Sequence, residues 1–560
     1  MLGSGGWRYS DTINELGTLF FTLSGPTAYC IMCTNLGFPS ISNCRRHLLL
    51  NAPITECVFR WKEVKEKLIK RNLPLKVTAS EDGTVVTGRV QYDFKSNQIV
   101  GFVPALDSDG LPLVGSFPAT SGQEILHHFK FGAVSRIAYV IMVRPLAVIS
   151  APICLALFGT DNKFDYRQVL QRWKWMSKEA EKEGIEVVGY ASDGAPQLLK
   201  AMYMRTFIRQ PTGRKWPWHC APLDKSLPFY IQDPIHLLVK LKSKLLKPSI
   251  IIPMGENYVA TRGHIIELIK NVSKDQHELT MSFIEVKDKM NFRAAQKLCA
   301  KKVSDLLRSS IHGSQSTAIY LDMMREITDA WMEPSLSPLE RVKLLWKWLF
   351  FCRLWRKWIV KHPGYSISHN FITSNSYISM EINAHSMIHM IRRFRDNEEP
   401  ELLVPTIMGS QDAEDFFRRA RSMTTMSSTM TNFSILEFVH RIRRIDFISE
   451  STENLKGTVN FPKLQKLYEK SQNQPKVFIL PEDYEIEQAV QEAYQSALEI
   501  CIQFGMATNR DKCPTSHLSP VELNEDFVIT EDPDSDDELI DGELASLDCD
   551  EEEGEDEPNC

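Results

Sequence analysis

Apolar and polar positions change period along this chain, and the changes mark out its elements. Up to about Arg71 apolar residues recur at helical spacing, and the segment closes in a basic run where Trp61, Val64, Leu68 and Ile69 share a face. From Leu75 the period shortens. LKVTASED, VVTGRVQYDF and NQIVGFVP are short runs rich in β-branched and apolar residues. With Asp82-Gly83 and Lys95-Ser96-Asn97 as turns, they predict an antiparallel meander. Apolar strands follow within Ala138 to Phe158. Tyr166, Val169, Leu170, Trp173, Met176 and Ala180 then recur every three or four residues, predicting a helix to Glu183 that Gly184 ends. A buried strand, Ile185 to Ala191, runs into Ser192-Asp193-Gly194, and a helix opens near Pro196. A meander followed by alternating strand and helix implies an α/β fold with a mixed sheet.

Beyond Lys200 the strand signals fade and the pattern up to Glu401 is mostly helical. It includes a helix from Arg293 to Ile311 and the aromatic, basic run RVKLLWKWLFFCRLWRKWIVK. There Trp346, Trp348, Trp355 and Trp358, with Arg353 and Arg356, are a core stripe with basic side chains snorkelling outward, or else a surface that stacks on and clamps DNA. The core reading is preferred. Later helical runs cover Ser434 to Ile448 and Asp483 to Phe504. The resulting plan is a helical lead-in (1–71), a first part of an α/β core (72–230), a helical insertion (231–400), a return to the core (401–450), a C-terminal helical region (451–520) and an acidic tail (521–560).

Composition narrows the class. With 560 residues, 43% of them hydrophobic, the chain can bury a large core divided among two to four domains. Residues 522–560 hold 19 of the 71 acidic side chains and no basic one, a composition expected to stay disordered alone and suited to docking basic partners. Without it the formal charge changes from -6 to +13, which fits a polyanionic partner. Twelve cysteines, with no signal-peptide pattern at the start, point to free thiols in the cytosol or nucleus. The apolar stretch Ala138 to Gly159 is interrupted by Arg144, Pro145 and Pro152, so strands are expected there and no membrane partner. Cys30, Cys33, Cys44 and His47 have the spacing of a zinc ligand set, but a buried helix turn is the preferred reading.

Two-metal phosphoryl transfer needs carboxylates from distant elements to converge on hard cations. Asp82 at the end of the first predicted strand, Asp193 at the end of the strand Ile185 to Ala191, and Glu414 on a helix in SQDAEDFFRRARS have the placement an RNase H-like fold requires. Acids at strand ends are also ordinary turn residues, and spacing alone leaves both roles open.

The segments LSGPTAY, VTASEDGTVVTGRVQYDFKSNQIVGF, IEVVGYASDG, QDPIHLLVKL and SQDAEDFFRRARS, in this order over residues 23 to about 422, resemble the landmarks of P-element and THAP-type DNA transposases. The resemblance lies in the order, since none of the motifs is diagnostic by itself. It implies an RNase H-like core interrupted by a large all-α insertion, with Asp82, Asp193 and Glu414 as catalytic ligands of two Mg2+ or Mn2+ ions. It also implies double-stranded DNA as partner, a homo-oligomer and a nuclear location. The implied activity is metal-dependent DNA strand cleavage and strand transfer. The alternative is a catalytically inactive domesticated transposase that binds DNA or protein.

Some features depart from the family pattern. Its Q-D-x-x-E is shortened here to Gln411-Asp412-Ala413-Glu414, although Glu414 keeps Phe417 at +3 and Arg421 at +7; Glu381 in SMEINAHSMIH is the rival third acid. The resemblance brings GTP with it, yet no G-x4-GK-[ST] loop is present. Asp233, His236 and Lys240 of the D-P-x-H-x3-K element, with Asp412, are the candidates for phosphate or nucleotide contact. Arg353, Arg356, Arg418 and Arg421 are the candidates for DNA contact. The zinc-binding THAP module that the family places ahead of its core has no counterpart before residue 30.

Overall fold

The computed structural model describes residues 9–49, 54–147, 150–207, 216, 218–219, 226–285, 291–423, 433–455, 458–459 and 477–514. The lead-in is three helices, α1 (Asp11–Leu36), α2 (Ile41–Leu48) and α3 (Trp61–Lys70). Ser10 and Ser40 begin the first two by accepting the N–H of Ile13 and Asn43. α1 is long and apolar enough to cross a membrane by length and composition, and it packs against α2. It bends at Gly25 (φ 76°), ahead of a proline that has no N–H to donate.

Of the three runs expected to form a meander, the second and third pair with each other, but the first pairs elsewhere. The first is one ten-residue strand, β1 (Lys76–Val85), and the other two make a separate small sheet of β2 (Gln91–Asp93) and β3 (Gln98–Val100). After α4 (Gly122–Phe131), the stretch Ala138 to Gly159 supplies β4 (Ile137–Pro145) and β5 (Ile153–Thr160). β1 pairs antiparallel with β4, with Asp82 opposite Val140 and Gly83 opposite Tyr139. Asp82-Gly83 is therefore no turn. A side chain on Gly83 would come within 3.1 Å of Ile137 Cγ2, so this glycine serves a close cross-strand approach.

The next elements follow expectation closely. α5 (Tyr166–Lys182) opens with an Asp165–Gln168 capping box, buries Val169, Trp173, Met176 and Ala180, and is followed by Gly184 at φ 76°. β6 (Glu186–Ser192) and α6 (Pro196–Thr206) succeed it. The five-stranded sheet has the order β5-β4-β1-β6-β7, in which β7 (Phe229–Gln232), a strand without a clear sequence signal, runs parallel to β6. Antiparallel and parallel pairs together make the sheet mixed.

From here the chain is mostly helical: α7 (Pro234–Leu246), a two-stranded ribbon of β8 (Ile252–Pro253) and β9 (Val259–Ala260), α8 (Arg262–Asn271) and α9 (Lys274–His277). The helix expected over Arg293 to Ile311 is two, α10 (Phe292–Leu298) and α11 (Lys301–Ser310), parted at Cys299-Ala300. α12 (Gln315–Met332), α13 (Pro338–Lys361), α14 (Ile367–Asn370) and α15 (Ser374–Asp396) follow. Among the described residues the chain ends in α16 (Gln411–Ser422), α17 (Ile435–Asn454) and α18 (Asp483–Gln503). The acidic tail lies outside the described residues.

Among the described residues two compact units are distinguished. One runs to Val187 and from Ser410 to Val459; the other runs from Val188 to Gly409 and from Val477 onward. In the first, Ala138, Val140 and Met142 of β4 share an apolar cluster with Phe416 and Phe417 of α16 and Phe438 and Ile442 of α17. In the second, α13 packs against α12, α15 and α18, so the C-terminal helix joins the helical region rather than standing apart. Trp346, Trp348 and Trp355 are at most 1% exposed. The indole N–H groups of Trp348 and Trp355 donate to Glu326 Oε2 (2.8 Å) and the Pro253 carbonyl (2.7 Å). Three tryptophans of the stripe are core, and the fourth, Trp358, is half-buried.

Candidate active site

Alternation along β1 sends its adjacent acids to opposite faces. Glu81, 1% exposed, accepts hydrogen bonds from Arg172 Nη2 (2.6 Å), the Tyr139 hydroxyl (2.8 Å) and Trp173 Nε1 (2.9 Å). Burial opposes the Arg172 charge, but the Glu81 carboxylate and Tyr139 outweigh it and hold its pKa above the ordinary value. This pair fixes α5 to the sheet.

Asp82 takes the other face, with Ser80 and Thr84. It is half-buried, its Oδ1 accepts the Gly83 N–H at 2.7 Å, and its register partner Val140 lies in the cluster shared with α16. Two contacts pin α16 over this face. Asp412 pairs with Arg144 of β4 at 2.5 Å, and Arg421 Nη2 donates to Thr84 Oγ1 at 2.6 Å. Glu414, also half-buried, lies between these anchors and seven residues before Arg421, on the same helical face. Asp82 and Glu414 are thus brought to one face of one sheet.

In the second unit, β6 and β7 run parallel with Ser192 opposite Gln232, so Asp193 and Asp233 leave adjacent strands at their carboxyl ends. This edge of an α/β sheet is where ligand sites form. Asp193 turns the chain, its Oδ1 accepting the Ala195 N–H at 3.1 Å, with Gly194 at φ 97°. Asp233 is 1% exposed and caps α7 through the N–H groups of Ile235 (2.7 Å) and His236 (3.3 Å). His236 is buried as well. Lys240 reaches back from α7, and its Nζ donates to the Asp193 carbonyl at 3.4 Å. It is 8% exposed, and among the described residues it has no other hydrogen bond and no carboxylate partner. A side chain at Gly194 would stand 3.0 Å from that ammonium, so the glycine leaves room for it.

Several sequence candidates have structural partners instead. Glu381, the rival third acid, is fully buried and grips Arg353 through Nε (2.9 Å) and Nη2 (2.6 Å), with the Tyr377 hydroxyl at 2.6 Å. Burial pushes its carboxyl up, but Arg353, His385 and Tyr377 together outweigh that and bring it down to about 2. Arg353, 4% exposed, is therefore a core ion-pair partner and no DNA clamp; Arg356 beside it is half-buried. Asp412 and Arg421 anchor α16 through Arg144 and Thr84. Arg418 is exposed and pairs with Asp415 one turn away at 2.6 Å. Of the zinc-like set, Cys30 is exposed, Cys33 Sγ donates to the Phe38 carbonyl, Cys44 Sγ donates to the Tyr29 hydroxyl and His47 meets the Phe447 ring edge-on. Among the described residues, no group of three or more His, Cys, Asp or Glu side chains is arranged to hold a metal ion.

Sequence reasoning missed the buried Glu81–Arg172 pair and the approach of Lys240 to Asp193. The only hint of the first was an arginine on the apolar side of α5. No family model matches the chain, and no curated protein matches it either. Among solved structures, the Drosophila P element transposase strand transfer complex matches with a TM-score of 0.55 and 15% identity, over 80% of this chain and 94% of that one. The chain shares its fold with that transposase.

Proposed function

We propose that this chain is a DNA transposase-like polynucleotidyl transferase with an RNase H-like core and a helical insertion. Asp82, Asp193 and Glu414 would hold two Mg2+ or Mn2+ ions. The observation that carries the proposal is the placement of Asp82 and Glu414 on one face of a sheet, in a fold shared with a transposase. The donors suit the ions: all three are half-buried carboxylates, open to exchange as the sealed Glu381 is not, and hard cations prefer oxygen ligands. A metal pair held there supplies activation of the attacking oxygen and stabilisation of the leaving oxygen of a phosphodiester.

The chain's own residues do the rest. Lys240 supplies positive charge beside Asp193 for a phosphate, and Arg418 on the exposed side of α16 meets the DNA backbone. The reaction is hydrolysis of a DNA strand followed by attack of the freed 3′-hydroxyl on a second duplex. Double-stranded DNA, a homo-oligomer that pairs two ends and a nuclear site of action belong to the same reading. The test is nicking of supercoiled plasmid in Mg2+ or Mn2+ by the intact protein and by Asp193→Ala and Asp82→Ala. Cutting by the intact protein alone is expected. Equal cutting by all three overturns the assignment, and DNA binding without cutting by any of them favours a silent DNA-binding descendant.

A further inference from the structure

A cavity of about 190 Å³ opens in the first unit between Ile54–Cys57, the β2–β3 hairpin, residues 113–117 and α17. Its walls include Ile99, Phe102, Phe117, Leu436 and Val439, and Leu113 and Val114 stand exposed at its edge. An apolar protein cavity of roughly 150 Å³ accommodates benzene, so this one has room for a single aromatic side chain. Glu56 also lines it. One of its oxygens accepts the Gly159 N–H at 3.0 Å, and burial pushes its carboxyl up to about 7. Near neutrality the cavity therefore has on its wall an acid that has lost about half of its charge.

The surroundings are basic. Lys95 sits between the lining residues Asp93 and Ser96, His440 follows the lining residue Val439, and Arg443 and Arg444 lie one turn further along α17. These groups are within electrostatic reach of one another: burial, Lys95, Arg443 and Arg444 all disfavour the charged form of His440, and Asp93 favours it. Asp93 is itself engaged by the N–H groups of Lys95 and Ser96 and by the Ser96 hydroxyl. Among the described residues Lys95, Arg443 and Arg444 have no carboxylate partner within ion-pair distance. An apolar hole beside unpaired cations is the complement of an acidic peptide carrying one aromatic anchor.

We propose that this cavity is the docking site for the segment Asn524–Asp532 of this same chain, NEDFVITED, in cis or from a second copy. Phe527 fills the hole. Glu525, Asp526, Glu531 and Asp532 lie against Lys95, His440, Arg443 and Arg444. The choice of occupant rests on charge complementarity. This segment places an aromatic residue between two acidic pairs, in a stretch with no basic residue from position 522 onward, and its covalent attachment raises its effective concentration at the site. DNA would engage the basic groups through phosphates but leave the apolar hole unfilled. A tail held there would compete with any polyanion for the same cations, which makes the site a device for tuning polyanion binding.

The test uses the full-length chain with Phe527→p-benzoylphenylalanine, irradiated and mapped by mass spectrometry. Crosslinks to peptides covering residues 99–117 and 436–443 are expected. They should be lost in Arg443→Glu/Arg444→Glu and in Lys95→Glu, and in excess synthetic NEDFVITED but not in excess NEDAVITED. Crosslinks scattered elsewhere, or insensitive to both charge reversals and to the peptide, overturn the proposal. So does protection of these basic side chains by duplex DNA with no effect on the crosslinks, which would assign the surface to nucleic acid.

Discussion

Asn383 of α15 bonds both main-chain groups of Gln232: its Oδ1 accepts the N–H and its Nδ2 donates to the carbonyl, each at 2.8 Å. Among the described residues β7 is the last strand of its sheet, so these outward groups face no further described strand, and the amide side chain stands in for one. The Ser386 hydroxyl serves the Tyr230 carbonyl two residues earlier in the same way. This clamp fixes the strand end from which Asp233 and α7 depart, and with them Lys240 beside Asp193.

Replacing Asn383 by Ala should destabilise the protein by about 2–4 kcal/mol, because a buried N–H and a buried carbonyl both lose their partner. Asn383→Asp should be at least as harmful, since a carboxylate only accepts and would face the Gln232 carbonyl. Denaturant titration measures both; a loss below about 0.5 kcal/mol for either would remove the clamp from the account.

Lys240→Met should move stability and activity in opposite directions. The substitution removes a buried cation whose one hydrogen bond is long, so the thermal midpoint should rise or hold. Nicking of plasmid DNA should fall by about ten- to a hundredfold, as expected when a charge set for a phosphate is lost. A fall in both together would make Lys240 a structural residue only.

Two carboxyls should shape stability against pH with opposite signs. Glu381 titrates near 2 instead of its ordinary 4.5, so its contribution is complete above about 4.5 and is lost as pH falls from there through about 2. Glu56 is raised from 4.5 to about 7, so its contribution is complete below about 4.5 and is lost as pH rises through 7. Glu56→Gln should therefore match the parent near pH 4.5 and exceed it by about 1–2 kcal/mol at pH 8, a figure reduced for the solvent contact the cavity allows. Parallel stability curves for parent and variant across that range would contradict the burial of Glu56.

Trp346→Ala and Arg353→Ala should both behave as core lesions, costing about 3–5 kcal/mol each, the first by leaving a cavity and the second by stranding the buried Glu381 charge. Arg418→Ala should leave the melting temperature nearly unchanged and reduce the slope of DNA affinity against salt by about one phosphate contact. Salt titrations of the folded variants separate the two classes. A changed slope for Arg353→Ala would return that residue to the DNA surface.

Sequence by itself determined the elements whose signals are local. The three-and-four spacing from Tyr166 to Ala180 and Gly184 marked α5, and a continuous apolar run marked β6, because helical periodicity and left-handed backbone are properties of a few adjacent residues. The core character of the α13 tryptophans was legible for the same reason. Which strand lies beside β1, and which acids have partners, were decided only by tertiary structure. Asp82-Gly83 has turn chemistry, yet the register with β4 keeps both residues inside a strand. Glu381 and Glu414 are both helical acids in the sequence; one is sealed against Arg353, and the other is carried by α16 to the face that holds Asp82. Pairing and burial depend on side chains from tens to hundreds of residues apart, and no local pattern encodes them.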